Sequence, residues 1–105
     1  MTGNKKYFVY IVTNKNKNVI YTGVTNNLRL RAQQHYEGKI KGFNRKYNCK
    51  YLVFYEIFDD IYQAISREKT IKNFRREKKN ALIEKMNPEW KFLNQMIEMT
   101  DDKYL

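Results

Sequence analysis

The chain has 105 residues, room for one compact domain and little more. Apolar residues make up 42% and aromatics 15%, which excludes global disorder, and no apolar run approaches the roughly 20 residues that span a bilayer. With 21 Lys and Arg against 11 Asp and Glu the net charge is +10, which suits a polyanionic partner such as DNA or RNA.

Met1 to Lys6 is polar and has no signal-peptide pattern. Cys49 is the single cysteine, so neither an internal disulfide nor a cysteine-rich zinc site can form. The expected compartment is the cytoplasm, and Cys49 reads as a small filler near a strand.

Tyr7 to Val12 is dense in aromatic and β-branched residues and predicts a strand. Asn14 to Asn18 is a turn by composition, and Val19 to Val24 predicts a second strand, antiparallel to the first across so short a link. Asn26 to Glu37 reads as a helix, capped by Thr25 or Asn26 and ended by Gly38. Lys39 to Lys50 is a basic loop, and Tyr51 to Phe58 a third strand. Asp59 or Asp60 caps a second helix running to about Asn73, and a basic helix follows over Arg75 to Met86. Asn87-Pro88 predicts one more helix, with Asn87 as N-cap, Pro88 at its first position, and Trp90, Leu93 and Ile97 on one face. The expectation is an α+β fold: a small three-stranded antiparallel sheet flanked by helices, in the order β-β-α-β-α-α-α. It fills one domain over residues 1–98, with a loose tail over 99–105.

Two helices carry costly polar groups on apolar faces. Leu28, Arg31, Ala32 and His35 share one face of the first. Ile61, Ala64, Ile65, Glu68 and Ile71 share one face of the second, which puts a carboxylate within an apolar stripe. Such groups must find partners or line a cleft. One reading is a structural Arg31–Glu68 ion pair with a core histidine. The other is a catalytic cluster.

The ordered set of motifs resembles the GIY-YIG nucleases, and within them the small bacterial proteins built on that domain. The matching stretches are Tyr7-Phe8-Val9-Tyr10-Ile11, Tyr21-Thr22-Gly23-Val24-Thr25-Asn26-Asn27-Leu28, Arg31 with His35, and Gly38 in the following turn. Further matches are Gly42-Phe43, Tyr51-Leu52-Val53-Phe54-Tyr55-Glu56, Ala64 to Lys72 with Arg67-Glu68-Lys69, and Leu82 to Trp90. The chain departs from the pattern at Val9, where the family name implies glycine, at Thr22, where it implies isoleucine, and at Asn44, where related chains often have threonine.

The resemblance implies a metal-dependent endonuclease acting on DNA, including branched or flapped DNA, with 5′-phosphate and 3′-hydroxyl products. It implies that Tyr10 takes the proton of the attacking water, Tyr21 supports Tyr10 and holds water or phosphate, and Arg31 binds the scissile phosphate. His35 contacts the phosphate or assists proton transfer. Glu68 is the sole protein ligand to one Mg²⁺ or Mn²⁺, and Gly23 lets the backbone pass close to the helix and the substrate. A site-ordering asparagine is implied after the glutamate, with Asn80 and Asn87 both open for it. A free phenol has a pKa of about 10, so neighbouring cations must help Tyr10 lose its proton.

Two basic groups suit phosphate binding: Lys39, Lys41, Arg45, Lys46 and Lys50 in the loop, and Lys69, Lys72, Arg75, Arg76, Lys78 and Lys79 along the later helices. No separate recognition module accompanies them, so low sequence specificity is expected, as is nicking by a monomer or weak dimer. A non-catalytic nucleic-acid-binding module on the same fold, acting in a larger complex, is the alternative.

Overall fold

The computed structural model describes residues 5–42 and 46–99. Its elements are β1 (Tyr7–Thr13), β2 (Ile20–Thr25), α1 (Leu28–Tyr36), β3 (Tyr51–Phe58), α2 (Ile61–Lys72), α3 (Arg76–Met86) and α4 (Asn94–Met99). The three strands form one antiparallel sheet in the order β2-β1-β3, an α+β architecture. Among the described residues, no helix is long and apolar enough to cross a membrane.

β1 is apolar along almost its whole length because it is central and both of its faces are covered. Phe8, Tyr10 and Val12 alternate with Val9 and Ile11, as a strand requires. The first set packs with Leu28 and Ala32 of α1, Cys49, Leu52, Leu93 and Ile97. The second packs with Val53, Phe54, Ala64 and Ile71 of α2 and Ile83 of α3. The sheet is thus the middle of three layers, with α1 and α4 on its first face and α2 and α3 on its second. Cys49 is completely buried, and that burial pushes its thiol up to about 11, as befits a packing residue.

Local chemistry sets the connections. Asn14 closes the β1–β2 turn, its side-chain oxygen accepting from the amides of Asn18 (3.0 Å) and Val19 (3.1 Å). Asn27 caps α1 by accepting from the Leu30 amide at 3.0 Å. The expected caps, Thr25 or Asn26, miss by one or two residues because the Thr25 hydroxyl already accepts from the Asn27 amide. Gly38 follows α1 at φ 71°, a left-handed conformation that favours glycine, and donates to the His35 carbonyl. Asp60 caps α2.

The C-terminal expectation is corrected. Asn87 is not an N-cap but the residue that ends α3. Its buried side chain donates to the carbonyls of Val53 (3.0 Å) and Lys91 (2.9 Å) and accepts from the Lys91 amide, tying the loop to β3. Trp90 adopts φ 55°, so no helix passes through it, and α4 begins only at Asn94. Trp90 packs toward the second core, whereas Leu93 and Ile97 enter the first. Of the expected tail, residues 100–105 lie outside the described residues, and residue 99 ends α4.

Candidate active site

The site is built outward from one close approach between β1 and β2. Tyr10 and Gly23 are register partners in the antiparallel pair. The Tyr10 ring lies over Gly23 so closely that a Cβ there would stand 2.5 Å from Cζ and 2.8 Å from Cε1. Gly23 therefore leaves room for the phenol of Tyr10. The ring is driven into that space by burial, with only 1% of the residue exposed.

The phenol points at α1. Its oxygen lies 2.9 Å from Nε2 of His35, and the two rings meet edge to face with centroids 5.4 Å apart. His35 is 2% exposed. Burial, together with the nearby charge of Arg31, holds its imidazole down to about 4, so it is neutral at pH 7. Burial pushes the Tyr10 phenol up to about 12, against the opposing influence of a hydrogen bond and the charge of Arg31. The expected cationic help for Tyr10 is thus present in Arg31 but is outweighed by desolvation.

Proton positions follow from satisfying this network. The Arg31 guanidinium donates toward the phenol oxygen. The Tyr10 O–H then donates to Nε2 of His35, which leaves the imidazole proton on Nδ1. That Nδ1 is buried without a hydrogen-bond partner, the one such side-chain atom among the described residues. An orphaned buried donor costs about 1–3 kcal/mol. An arrangement kept at that cost among titratable groups marks a functional candidate.

Tyr21 completes this side of the cluster, its ring centroid 5.9 Å from that of His35. The second helix approaches from the opposite face of the sheet. Glu68 is buried (9% exposed) among the residues that fix α2 to the sheet, flanked along the helix by buried Ala64 and Ile71. Its carboxylate lies close enough to influence Tyr10 electrostatically. It pairs with Nζ of Lys72, one turn on, at 2.5 Å, and not with Arg31. The same ammonium lies 5.6 Å from the centroid of the Tyr21 ring. Tyr21 lies on the edge strand β2, where the Lys72 ammonium of α2 meets its ring. Tyr10, Tyr21, Arg31, His35, Glu68 and Lys72 thereby form one mutually interacting cluster.

The sequence marks Lys72 only as one phosphate-binding residue among many. Its place beside the carboxylate is readable from the Glu-to-Lys spacing of four residues on one helix. Arg67, next in sequence to Glu68, serves elsewhere. Its guanidinium donates to both carboxylate oxygens of Glu56 on β3, at 2.9 and 3.0 Å. Asn80 accepts from Arg76 at 2.9 Å, and Arg76 also donates to the carbonyls of Lys17 and Asn18. Arg76 therefore clamps the β1–β2 turn while Asn80 holds its guanidinium, and Asn87 holds β3 as described. Of the loop cations, Lys39 pairs with Glu37 and Lys46 lies over the Tyr47 ring. Arg45, like Phe43 and Asn44, lies outside the described residues.

Sequence comparison matches residues 6–81 to the GIY-YIG catalytic domain. The chain belongs to the GIY-YIG family. GIY-YIG domains in general are nucleases that act on nucleic acid with a divalent metal. Relatives include UPF0213 proteins of Haloquadratum walsbyi, 37% identical over 77% of this chain and 90% of the relative, and of Staphylococcus haemolyticus, 38% identical over 75% and 95%. The solution NMR structure of a UPF0213 protein from Bacillus halodurans shares the fold, with a TM-score of 0.54 at 24% identity over 90% of this chain and 97% of the other.

The donors near Tyr10 include one carboxylate, Glu68, that could hold a divalent ion. No group of three or more His, Cys, Asp or Glu side chains that could hold a metal ion occurs among the described residues. Glu68 offers a hard carboxylate oxygen of the kind Mg²⁺ or Mn²⁺ prefers. Its Lys72 partner is half exposed on a flexible stem and can move.

Proposed function

We propose that the chain is a metal-dependent endonuclease that hydrolyses DNA phosphodiester bonds with low sequence specificity. The observation that carries this reading is the buried, neutral Tyr10–His35 hydrogen bond set beside Arg31 and Glu68. A protein that only binds DNA has no use for a phenol aimed at an unprotonated imidazole.

The geometry supports a relay. A phenol held at about 12 does not ionise by itself near neutral pH. Tyr10 need not ionise if it gives its proton to Nε2 of His35 as it takes one from the attacking water. His35 can accept because burial has kept it neutral. The phosphate carries the charge that stabilises the imidazolium so formed, and Arg31 holds that phosphate with its planar fork. Tyr21 packs against His35 and fixes its ring. A divalent cation on Glu68, when bound, supplies positive charge to the phosphate and the leaving oxygen. Lys39, Lys41, Arg45, Lys46, Lys69, Lys72 and Arg75 add salt-sensitive affinity for the DNA backbone. Arg76 contributes less, since its guanidinium is committed to the hairpin turn.

The test uses supercoiled plasmid, flapped or branched DNA, and RNA, each with Mg²⁺, Mn²⁺ or a chelator. Metal-dependent nicking of DNA that is lost in Glu68→Ala is expected. Cleavage that persists in Glu68→Ala or in chelator contradicts the proposal. The Lys72–Glu68 ion pair is what a binding-only module on this fold has in its favour, and tight binding without cutting of any substrate would establish that alternative.

A further inference from the structure

Two carboxylate–cation pairs start from neighbouring residues of α2, and they differ in kind. Arg67 grips Glu56 through two hydrogen bonds of 2.9 and 3.0 Å, both partners about one-third exposed or less. That is a fixed brace between α2 and β3. Lys72 meets Glu68 through a single ammonium contact of 2.5 Å, with the lysine side chain 46% exposed and the carboxylate side chain 11%. A buried carboxylate must have a counter-charge at all times. Here it is a compact point charge on a long flexible stem. Its distance from the carboxylate oxygen is within the range at which hard cations bind oxygen, about 2.0–2.6 Å. The ammonium therefore holds a cation's place beside Glu68, with the centroid of the Tyr21 ring 5.6 Å away.

We propose that Lys72 is an exchangeable cation: it neutralises Glu68 until a divalent metal binds there, then turns past Tyr21 to pair with a phosphate oxygen of the DNA. This inference rests on the nuclease reading and deepens it. No bond is made or broken, and Lys72 keeps its proton throughout.

The exchange couples metal loading to substrate. A divalent ion entering alone would crowd three cationic groups together: itself, the displaced Lys72 and Arg31. The polyanionic substrate relieves that repulsion by giving Lys72 and Arg31 a phosphate to bind. Metal and DNA must then each tighten the binding of the other, by the same factor. Without DNA, Lys72 returns to Glu68 and competes with the metal, so metal binding is weaker at rest than on DNA. The Lys72 ammonium already lies 5.6 Å from the centroid of the Tyr21 ring, so the exchange calls for a turn of the lysine side chain alone.

The experiment measures Mn²⁺ binding by electron paramagnetic resonance of the free ion. A Tyr10→Phe background, on which cleavage is too slow to consume the duplex during the measurement, is used throughout. Lys72, Lys72→Met, Lys72→Arg and Glu68→Gln forms are compared with and without a short DNA duplex. Lys72→Met is expected to bind Mn²⁺ about threefold to fivefold tighter without DNA, the effect of removing a partly exposed competing ion pair. DNA should tighten Mn²⁺ binding in the Lys72 form and much less in Lys72→Met, while Lys72→Arg should bind Mn²⁺ no tighter than Lys72. Should Lys72→Met melt far below the parent, Lys72→Gln replaces it with the same expectations. Unchanged Mn²⁺ affinity in the lysine-free variant, with binding lost in Glu68→Gln, overturns the exchange and leaves the nuclease reading standing. Mn²⁺ binding that Glu68→Gln leaves intact overturns both.

Discussion

Tyr10 and His35 meet in a buried, neutral hydrogen bond between a central strand and α1. Glu68 and Lys72 meet in an ion pair at the rim of the same site, on a helix that packs against the opposite face of the sheet. On the first side, burial sets the chemistry, holding the phenol protonated and the imidazole neutral. On the second side, charge is retained and balanced by a lysine that keeps contact with solvent. Under the proposed function this contrast would separate the movement of a proton from the handling of phosphate and cation. The proton would move between groups fixed by packing, and the cation would bind where a side chain can step aside.

The largest effect expected from breaking this contrast is on the charged side. Glu68→Gln should slow single-turnover plasmid cleavage by about a thousandfold, the range for losing a principal electrostatic stabiliser, with little change in melting temperature. The neutral side should respond to pH. The His35 pKa is lowered from 6.5 to about 4 in the folded protein, so between those values the unfolded chain takes up a proton that the folded one refuses. Stability must therefore fall as pH drops from 6.5 toward 4, by up to about 3 kcal/mol from this group. Urea unfolding of the wild type and of His35→Gln across that range should differ by this slope. Equal slopes would show that the imidazole is not buried neutral.

Much of this contrast is legible in the sequence, and its gaps have physical causes. Strand alternation and capping residues place the three strands and α1 to α3 within one or two residues, and β3 coincides with its predicted span. The faces that bring Arg31 with His35, and Glu68 with Ile71, follow from helical phase alone. The C-terminal segment departs from its expected form because the strong local helix signal of Asn87-Pro88 is overruled by a distant strand. The Asn87 amide satisfies the carbonyl of Val53, a contact no local pattern reveals. The purpose of Gly23 is hidden for the same reason, since it depends on the cross-strand register with Tyr10. Nor can sequence show that burial outweighs Arg31 at Tyr10, because desolvation is a property of the packed molecule.

Gly23 offers a sharper probe of the neutral side. Gly23→Ala should destabilise the fold by about 2 kcal/mol, since the new methyl must displace the buried Tyr10 ring. It should also disturb the Tyr10–His35 bond and lower cleavage further than the stability loss explains, as unfolding titrations run beside cleavage assays would reveal. The smallest effect is expected at the anchor of α1. Asn27→Ala removes the N-cap of the helix that carries Arg31 and His35, and should cost about 1 kcal/mol in thermal stability while leaving the metal requirement unchanged.

The central claim is that the neutral pair and the charged pair act together as one site. The most direct measurement is a double-variant cycle of single-turnover DNA cleavage with Tyr10→Phe and Glu68→Gln. Groups that act as a unit do not contribute independently. The double variant should therefore cut no more slowly than the slower of the two single variants. A double variant whose loss equals the product of the two single losses would contradict the account.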